Sequence, residues 1–202
     1  MSPTPTNVVS LLVGLGNPGP KYARHRHNVG FMAVELFGQK HGADSYRDKF
    51  HGRFTKCRVG SAELVLLEPL TFMNLSGRSV QAAMQFFKVE RSGICVVHDE
   101  LDVAFGDLRI KQGGGTAGHN GLGSIVEHCG GQDFARLRVG IGRPRGNTPV
   151  EKHVLSDFSS TESQELEGVL ERASAALADV VSKGPAAAMN LHNQRPKAPT
   201  GS

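Results

Sequence analysis

One apolar stretch constrains this chain more than any other. Val8-Val9-Ser10-Leu11-Leu12-Val13-Gly14-Leu15 is short, apolar and closed by glycine, the pattern of a strand buried on both faces. It runs into Gly16-Asn17-Pro18-Gly19 and a polar segment that returns as Arg26-His27-Asn28 just ahead of a helix. In open α/β sheets the crevice beyond the carboxyl ends of the strands is where ligands bind. Asn17 leaves at that edge. The question is which other polar groups later strands deliver there.

Phe31 to His41 carries apolar residues at 31, 34 and 37 ahead of Gly42, which predicts an amphipathic helix. Phe54–Val59 and Glu63–Leu67 predict a hairpin around Gly60-Ser61, and Thr71-Phe72-Met73-Asn74 leads into a helix ending near Lys88. Ile94–Val97 is a second buried strand with His98-Asp99-Glu100 at its exit. Leu108–Lys111 alternates, Gly113–Gly118 is rich in glycine, and His119-Asn120 opens a helix to about Cys129. Phe134–Ile141 is another strand. Thr161-x-x-Gln164 fits a capping box before a long helix that ends at Gly184-Pro185, and a short helix follows over 186–192. Strands alternating with helices, together with a hairpin and two-faced strands, predict an α/β single domain: a mixed twisted sheet with helices on both faces. That domain covers 8–192, between a flexible N-terminus (1–7) and a flexible C-terminal tail (193–202).

No apolar run approaches the roughly 20 residues of a membrane span, and Met1–Asn7 lacks the features of a signal peptide. The cysteines are odd in number, Cys57 and Cys95 sit inside strand-like runs, and no C-x-x-C occurs. Those features argue against a disulfide framework or a thiolate zinc site, and for a cytoplasmic protein. The net charge is +4. Acids gather in 151–171, leaving 1–150 basic, which permits a polyanionic partner.

Gly14-Leu15-Gly16-Asn17-Pro18-Gly19 is literally G-x-G-x-x-G, but Pro18 removes an amide, and a polar run separates Gly19 from the helix. No second strand ends in an acid about 20 residues on, so the dinucleotide-binding context fails. Gly113–Gly118 is followed by His119-Asn120, not by the Lys-Ser/Thr of a Walker loop. What the strand exits collect is Asn17, Met73-Asn74, His98-Asp99 and His119-Asn120, with His27-Asn28 beside the first. Each asparagine alone fits a turn. Together, amides, an imidazole and a carboxylate suit hydrolysis: the imidazole takes a proton from water, the carboxylate fixes its tautomer, and amide N–H groups meet an oxyanion. There is no G-x-S-x-G around Ser76, and His25, His27, His98 and His119 have no standard zinc spacing. In a two-residue period, Arg109 shares a face with Lys111, and Arg136 with Arg138; paired cations of this kind suit a phosphate.

Five motifs then resemble the bacterial-type peptidyl-tRNA hydrolases. They are Val13–Gly19 with Tyr22 and Arg26–Phe31, Thr71–Gly77, His98–Asp102, Gly113–Leu122 and Arg136–Gly142. Phe72 stands where a tyrosine is common. The resemblance covers roughly 8–192. It implies a monomer that needs no metal or cofactor and cleaves the ester between peptide and tRNA. It assigns His27 as general base and Asp99 as its orienting partner. Asn17, Asn74 and Asn120 would bind peptide, water or oxyanion, Tyr22 and Met73 would form apolar walls, and His119 would be a neighbouring site residue. Lys111 and Arg138 would grip the tRNA 5′ phosphate, and the glycine-rich loop and about 144–158 would form a gate and lid. The same scaffold also resembles organellar splicing factors, which bind RNA or protein without hydrolysis. The full set His27, Asp99, Asn17, Asn74 and Asn120 favours the enzyme.

Overall fold

The computed structural model describes residues 8–193; the segments predicted as flexible, 1–7 and the tail from 194 on, lie outside the described residues. Seven strands form one sheet: β1 (Leu11–Gly14), β2 (Arg47–Lys49), β3 (Gly52–Val59), β4 (Ala62–Pro69), β5 (Ile94–Glu100), β6 (Leu108–Gln112) and β7 (Ala135–Gly140), in the order β2-β3-β4-β1-β5-β7-β6. The run β4-β1-β5-β7 is parallel. Antiparallel β2 and β3 extend it at one edge, and antiparallel β6 closes the other. Helices α1 (Val29–Lys40), α5 (Ser160–Lys183) and α6 (Pro185–His192) cover one face, and α2 (Ser76–Phe87) and α3 (Asn120–Cys129) the other. A short helix, α4 (Val150–Val154), stands over the carboxyl edge. No helix among the described residues is long and apolar enough to cross a membrane.

The two-residue period sorts the core. Leu12, Cys95, Val97 and Leu137 pack with α1 and α5, whereas Leu11, Val13 and Val96 pack with α2 and α3. Each fully buried leucine or isoleucine contributes about 1.5–3 kcal/mol of transfer free energy. On β6 and β7 only one face takes part: Leu108, Ile110, Ala135, Leu137 and Val139 belong to the α1/α5/α6 core. The opposite face of those strands contributes nothing to the α2/α3 core and carries Arg109, Lys111, Arg136 and Arg138.

The Gly14 and Gly16 run serves packing and not a pyrophosphate. A Cβ on Gly14 would lie 2.6 Å from the Gly30 carbonyl oxygen, and one on Gly30 would lie 2.4 Å from that of Val97. The start of α1 therefore rests directly on the backbones of β1 and β5, a distance only glycine permits.

Several boundaries differ from expectation. β2 is three charged residues on an edge, where pairing and not hydrophobicity defines the strand. β5 continues through His98, Asp99 and Glu100, which places them alternately on opposite faces. The capping box of α5 is Ser159 with Glu162, not Thr161 with Gln164: the Ser159 hydroxyl accepts the Glu162 N–H, and the Glu162 carboxylate accepts the Ser159 N–H. Asn193, expected as the first tail residue, is anchored; its side chain accepts from the Ile110 N–H and donates to the Ile110 carbonyl, each at 2.8 Å.

Candidate active site

The close seating of α1 brings the 3-10 turn Arg26–Asn28, which precedes it, against the end of β5. His27 Nδ1 lies 2.7 Å from Asp99 Oδ1, and His119 Nε2 lies 3.0 Å from the same oxygen. The remaining bonds fix the tautomers. His119 is the N-cap of α3, and its Nδ1 accepts the N–H groups of Gly121 at 3.1 Å and Leu122 at 3.3 Å. Its hydrogen is therefore on Nε2, donated to Asp99. Asp99 can only accept, so His27 donates through Nδ1 and its Nε2 is left as a bare acceptor. Burial alone would push the Asp99 carboxyl up, but the His119 and His27 imidazoles outweigh it and hold it well below the usual carboxylate range. Asp99 is ionised at neutral pH.

Asn17 sits where β1 ends. Its backbone N–H donates to Asn28 Oδ1 at 2.9 Å, and Asn28 Nδ2 donates back to the Asn17 carbonyl at 3.0 Å. Asn17 Oδ1 accepts the Met73 N–H at 2.8 Å, so the Asn17 side chain also fixes the turn Met73–Leu75. With its oxygen committed, the Asn17 amide nitrogen is the group left for a ligand. A cleft of about 880 Å³ is lined by Asn17, His27, Met73, Asn74, Asp99, His119 and Asn120, with Phe72 on its wall and Val150, Glu151, Val154 and Leu155 from the α4 region above. Seven of the eight chemistry and substrate residues read from the sequence thus meet at one place.

Tyr22 does not line that cleft; its ring packs edge-on against His25 at 5.3 Å, and the intervening turn holds it outside. His119 belongs to the cleft, but both its ring nitrogens are spent on Asp99 and α3, so it supports the carboxylate and does not bind substrate through them. His98 points to the opposite face of β5 from Asp99; it is buried, and burial, with the His119 imidazole beside it, pushes its own imidazole down to about 3.

The four cations of β6 and β7 are not equivalent. Arg136 is buried and donates to the carbonyls of Gly115 at 2.7 Å and Gly114 at 2.5 Å, so it braces the glycine-rich loop and is not a free phosphate ligand. Arg138 donates only Nε to Glu100, at 2.8 Å, which leaves the outer guanidinium nitrogens uncommitted. Lys111 is exposed. Lys111 pairs with Arg136 and Arg109 with Arg138, so Lys111 and Arg138 are diagonal neighbours on one face of the sheet, about 7–8 Å apart.

Ser76 and the cysteines do not serve as nucleophiles. Ser76 is buried and donates its hydroxyl to the Met73 carbonyl, and burial raises the thiols of Cys57 to about 11, Cys95 to about 12 and Cys129 to about 11. His27, Asp99 and His119 place ligand atoms within 4.8 Å of one another, the one such group among the described residues. In this arrangement both imidazole N–H groups are directed at one oxygen, Oδ1, of Asp99. Asn28 was collected beside His27 in the sequence but given no role, and the bracing role of Arg136 was not legible there; the structure shows that Asn28 makes no cap bond and holds the Asn17 backbone instead.

An imidazole–carboxylate pair beside a cleft, at the carboxyl edge of a sheet with helices on both faces, is an arrangement suited to a hydrolase. Comparison with known proteins narrows it. Residues 11–200 match the family model described as peptidyl-tRNA hydrolase. A peptidyl-tRNA hydrolase of Sorangium cellulosum is 50% identical over 191 residues, covering 93% of this chain and 85% of that protein. One of Syntrophotalea carbinolica is 46% identical over 187 residues, covering 93% and 98%. The crystal structure of peptidyl-tRNA hydrolase from Acinetobacter baumannii superposes with a TM-score of 0.88 at 39% identity, covering 96% of this chain and 100% of that one. The chain belongs to the peptidyl-tRNA hydrolase family.

Proposed function

We propose that this protein hydrolyses the ester between the peptide and the terminal ribose of peptidyl-tRNA, with His27 as general base. The observation that carries this is the 2.7 Å contact of His27 Nδ1 with an ionised Asp99, which leaves Nε2 free at the cleft. Water bound at Nε2 gives up a proton as its oxygen attacks the ester carbonyl. The charge on the resulting imidazolium is balanced by Asp99. The amide nitrogen of Asn17 and the side chains of Asn74 and Asn120, which also face the cleft, donate to the developing oxyanion or to the peptide backbone. Collapse of the tetrahedral intermediate breaks the bond to the ribose oxygen, which takes the proton back from His27. The products are a carboxylic acid and an alcohol, so no covalent enzyme intermediate is required. Met73 supplies an apolar wall.

The uncovered face of β6 and β7 suits the acceptor end of the tRNA, with Lys111 and Arg138 on the 5′ phosphate. Recognition of this kind relies on phosphate and helix shape and tolerates base sequence. The glycine-rich loop and the α4 region serve as gate and lid. One chain carries every residue invoked, in keeping with a monomer, and peptidyl-tRNA in the cytoplasm is the partner. The test is hydrolysis of an N-blocked aminoacyl-tRNA. His27→Ala is expected to lose about 10²–10⁴-fold in kcat with its melting temperature retained. An active His27→Ala protein would overturn the general base, and an inactive wild type would favour the RNA-binding scaffold.

A further inference from the structure

We infer that Arg26 is a positioning residue that straps the lid to the turn Arg26–Asn28, so that closure over the cleft is set by one side chain. The inference rests on the function proposed above and concerns how the same site is assembled.

Arg26 is only 7% exposed although it lies in a basic surface loop. One terminal nitrogen of its guanidinium donates to the Ser156 hydroxyl at 2.7 Å and to the Asp157 carbonyl at 2.5 Å, with a longer bond of 3.3 Å to the Ser156 carbonyl. The other donates to Glu162 Oε2 at 2.5 Å. Its backbone N–H bonds the Ser156 carbonyl at 3.0 Å, and the guanidinium lies 5.4 Å from the centre of the Phe158 ring. Ser156 and Asp157 directly follow the lid residues Val150–Leu155, and α4 itself contacts the turn Arg26–Asn28. The next residue after Arg26 is His27.

The far anchor is equally firm. The Glu162 oxygen that receives Arg26 also accepts the Ser159 N–H of the α5 capping box at 2.7 Å. The cap of the longest helix is therefore the fixed post, Arg26 the strap, and the lid hinge the part held. A planar guanidinium holds these partners with a rigid fork of donors, whereas an ammonium is a compact point charge on a flexible stem and cannot reproduce that spread. On its other side the lid is tied more lightly, by His153 Nε2 at 3.0 Å from the Gly142 carbonyl.

The test compares wild type with Arg26→Lys by hydrogen exchange and by kinetics on an N-blocked aminoacyl-tRNA. Arg26→Lys is expected to speed exchange of amides in 150–158 by about tenfold to a hundredfold, from the loss of charge-assisted bonds, while the interior of α5 is unaffected. KM is expected to rise about tenfold with kcat within about threefold, the mark of binding that the lid gives equally to ground state and transition state. Unchanged exchange in 150–158 overturns the strap. So does a fall in kcat and melting temperature at constant KM, the mark of a merely structural role. Should Arg26→Lys fail to fold, Ser156→Ala replaces it with the same exchange criterion in both directions. A wild type without hydrolysis but with the exchange difference present would sink the proposed function and leave the strap standing.

Discussion

Replacing Asn28 by alanine separates positioning from chemistry at this site. The substitution removes both bonds between the Asn28 amide and the Asn17 backbone, of 2.9 and 3.0 Å, and leaves a buried N–H and carbonyl without partners; Asn17 is 8% exposed and Asn28 3%. A buried group left unpaired costs about 1–3 kcal/mol, and the cleft admits water to part of the void, so the loss is about 2–4 kcal/mol. For a chain of this size that lowers the melting temperature by about 4–16 °C. Asn17 also holds the Met73 N–H, so its displacement moves the Met73–Leu75 turn, and a shift of about 1 Å costs about a hundredfold in rate. The assay is single-turnover hydrolysis of N-blocked aminoacyl-tRNA well below the lowered melting temperature. His27 and Asp99 are untouched, so the shape of the pH–rate profile is expected to stay the same while the plateau drops. Activity within threefold of wild type despite a lowered melting temperature would refute the positioning role. An unchanged melting temperature would refute the energetics.

Asp99→Asn keeps an oxygen for both imidazoles but removes the charge facing the imidazolium; at about 4 Å and an effective dielectric near 20 that is about 4 kcal/mol, or about a thousandfold in kcat, measured by single turnover. The Asp99 carboxyl is held below its unfolded value, so its contribution to stability is present above about pH 4 and lost as pH falls further; chemical denaturation across that range is expected to show a shallower acid limb in Asp99→Asn. Glu68 behaves oppositely. Burial, reinforced by Glu35 and opposed by Arg53, raises it to about 7, so stability is lost as pH climbs from about 4.5 through 7, and Glu68→Gln is expected to flatten that slope in denaturant titrations. Lys111→Ala and Arg138→Ala are expected to raise KM about tenfold on full tRNA and to spare a minimal ester without the 5′ phosphate; equal damage on both substrates would refute the clamp.

How much was legible follows from how local each signal is. β1, β5, the hairpin and α5 are written in periodicity, and the sequence reading placed them correctly to within a few residues. β2 carries no hydrophobic signal, since Arg47, Asp48 and Lys49 are all exposed and only pairing with β3 defines them. The site residues at strand exits were found because topology dictates where such exits meet. Asn28 was collected beside them without a role, because nothing local shows that its amide makes no cap bond and reaches back to Asn17. Arg26 and Arg136 look in sequence like ordinary surface cations. Their partners, at Ser156–Glu162 and Gly114–Gly115, are fixed by tertiary packing that no local pattern encodes. The alternation of Arg136 with Arg138 correctly gave their shared face but could not reveal that loop carbonyls cover one of them.

The placement of β5 ties the two proposed tasks of the site together. Asp99 and Glu100 are consecutive residues of one strand and therefore point to opposite faces. Asp99 turns toward the turn that carries His27, while Glu100 turns toward the uncovered face and holds Arg138 Nε at 2.8 Å. A sheet strand paired on both sides, here with β1 and β7, is among the stiffest elements a small domain offers. Holding His27, the proposed general base, and Arg138, the proposed phosphate ligand, through adjacent residues of such a strand sets the distance between them without any contact between the two groups. On the proposed function, a substrate held by its phosphate would meet His27 at a fixed reach, and selection of tRNA would need no reading of the peptide side chains.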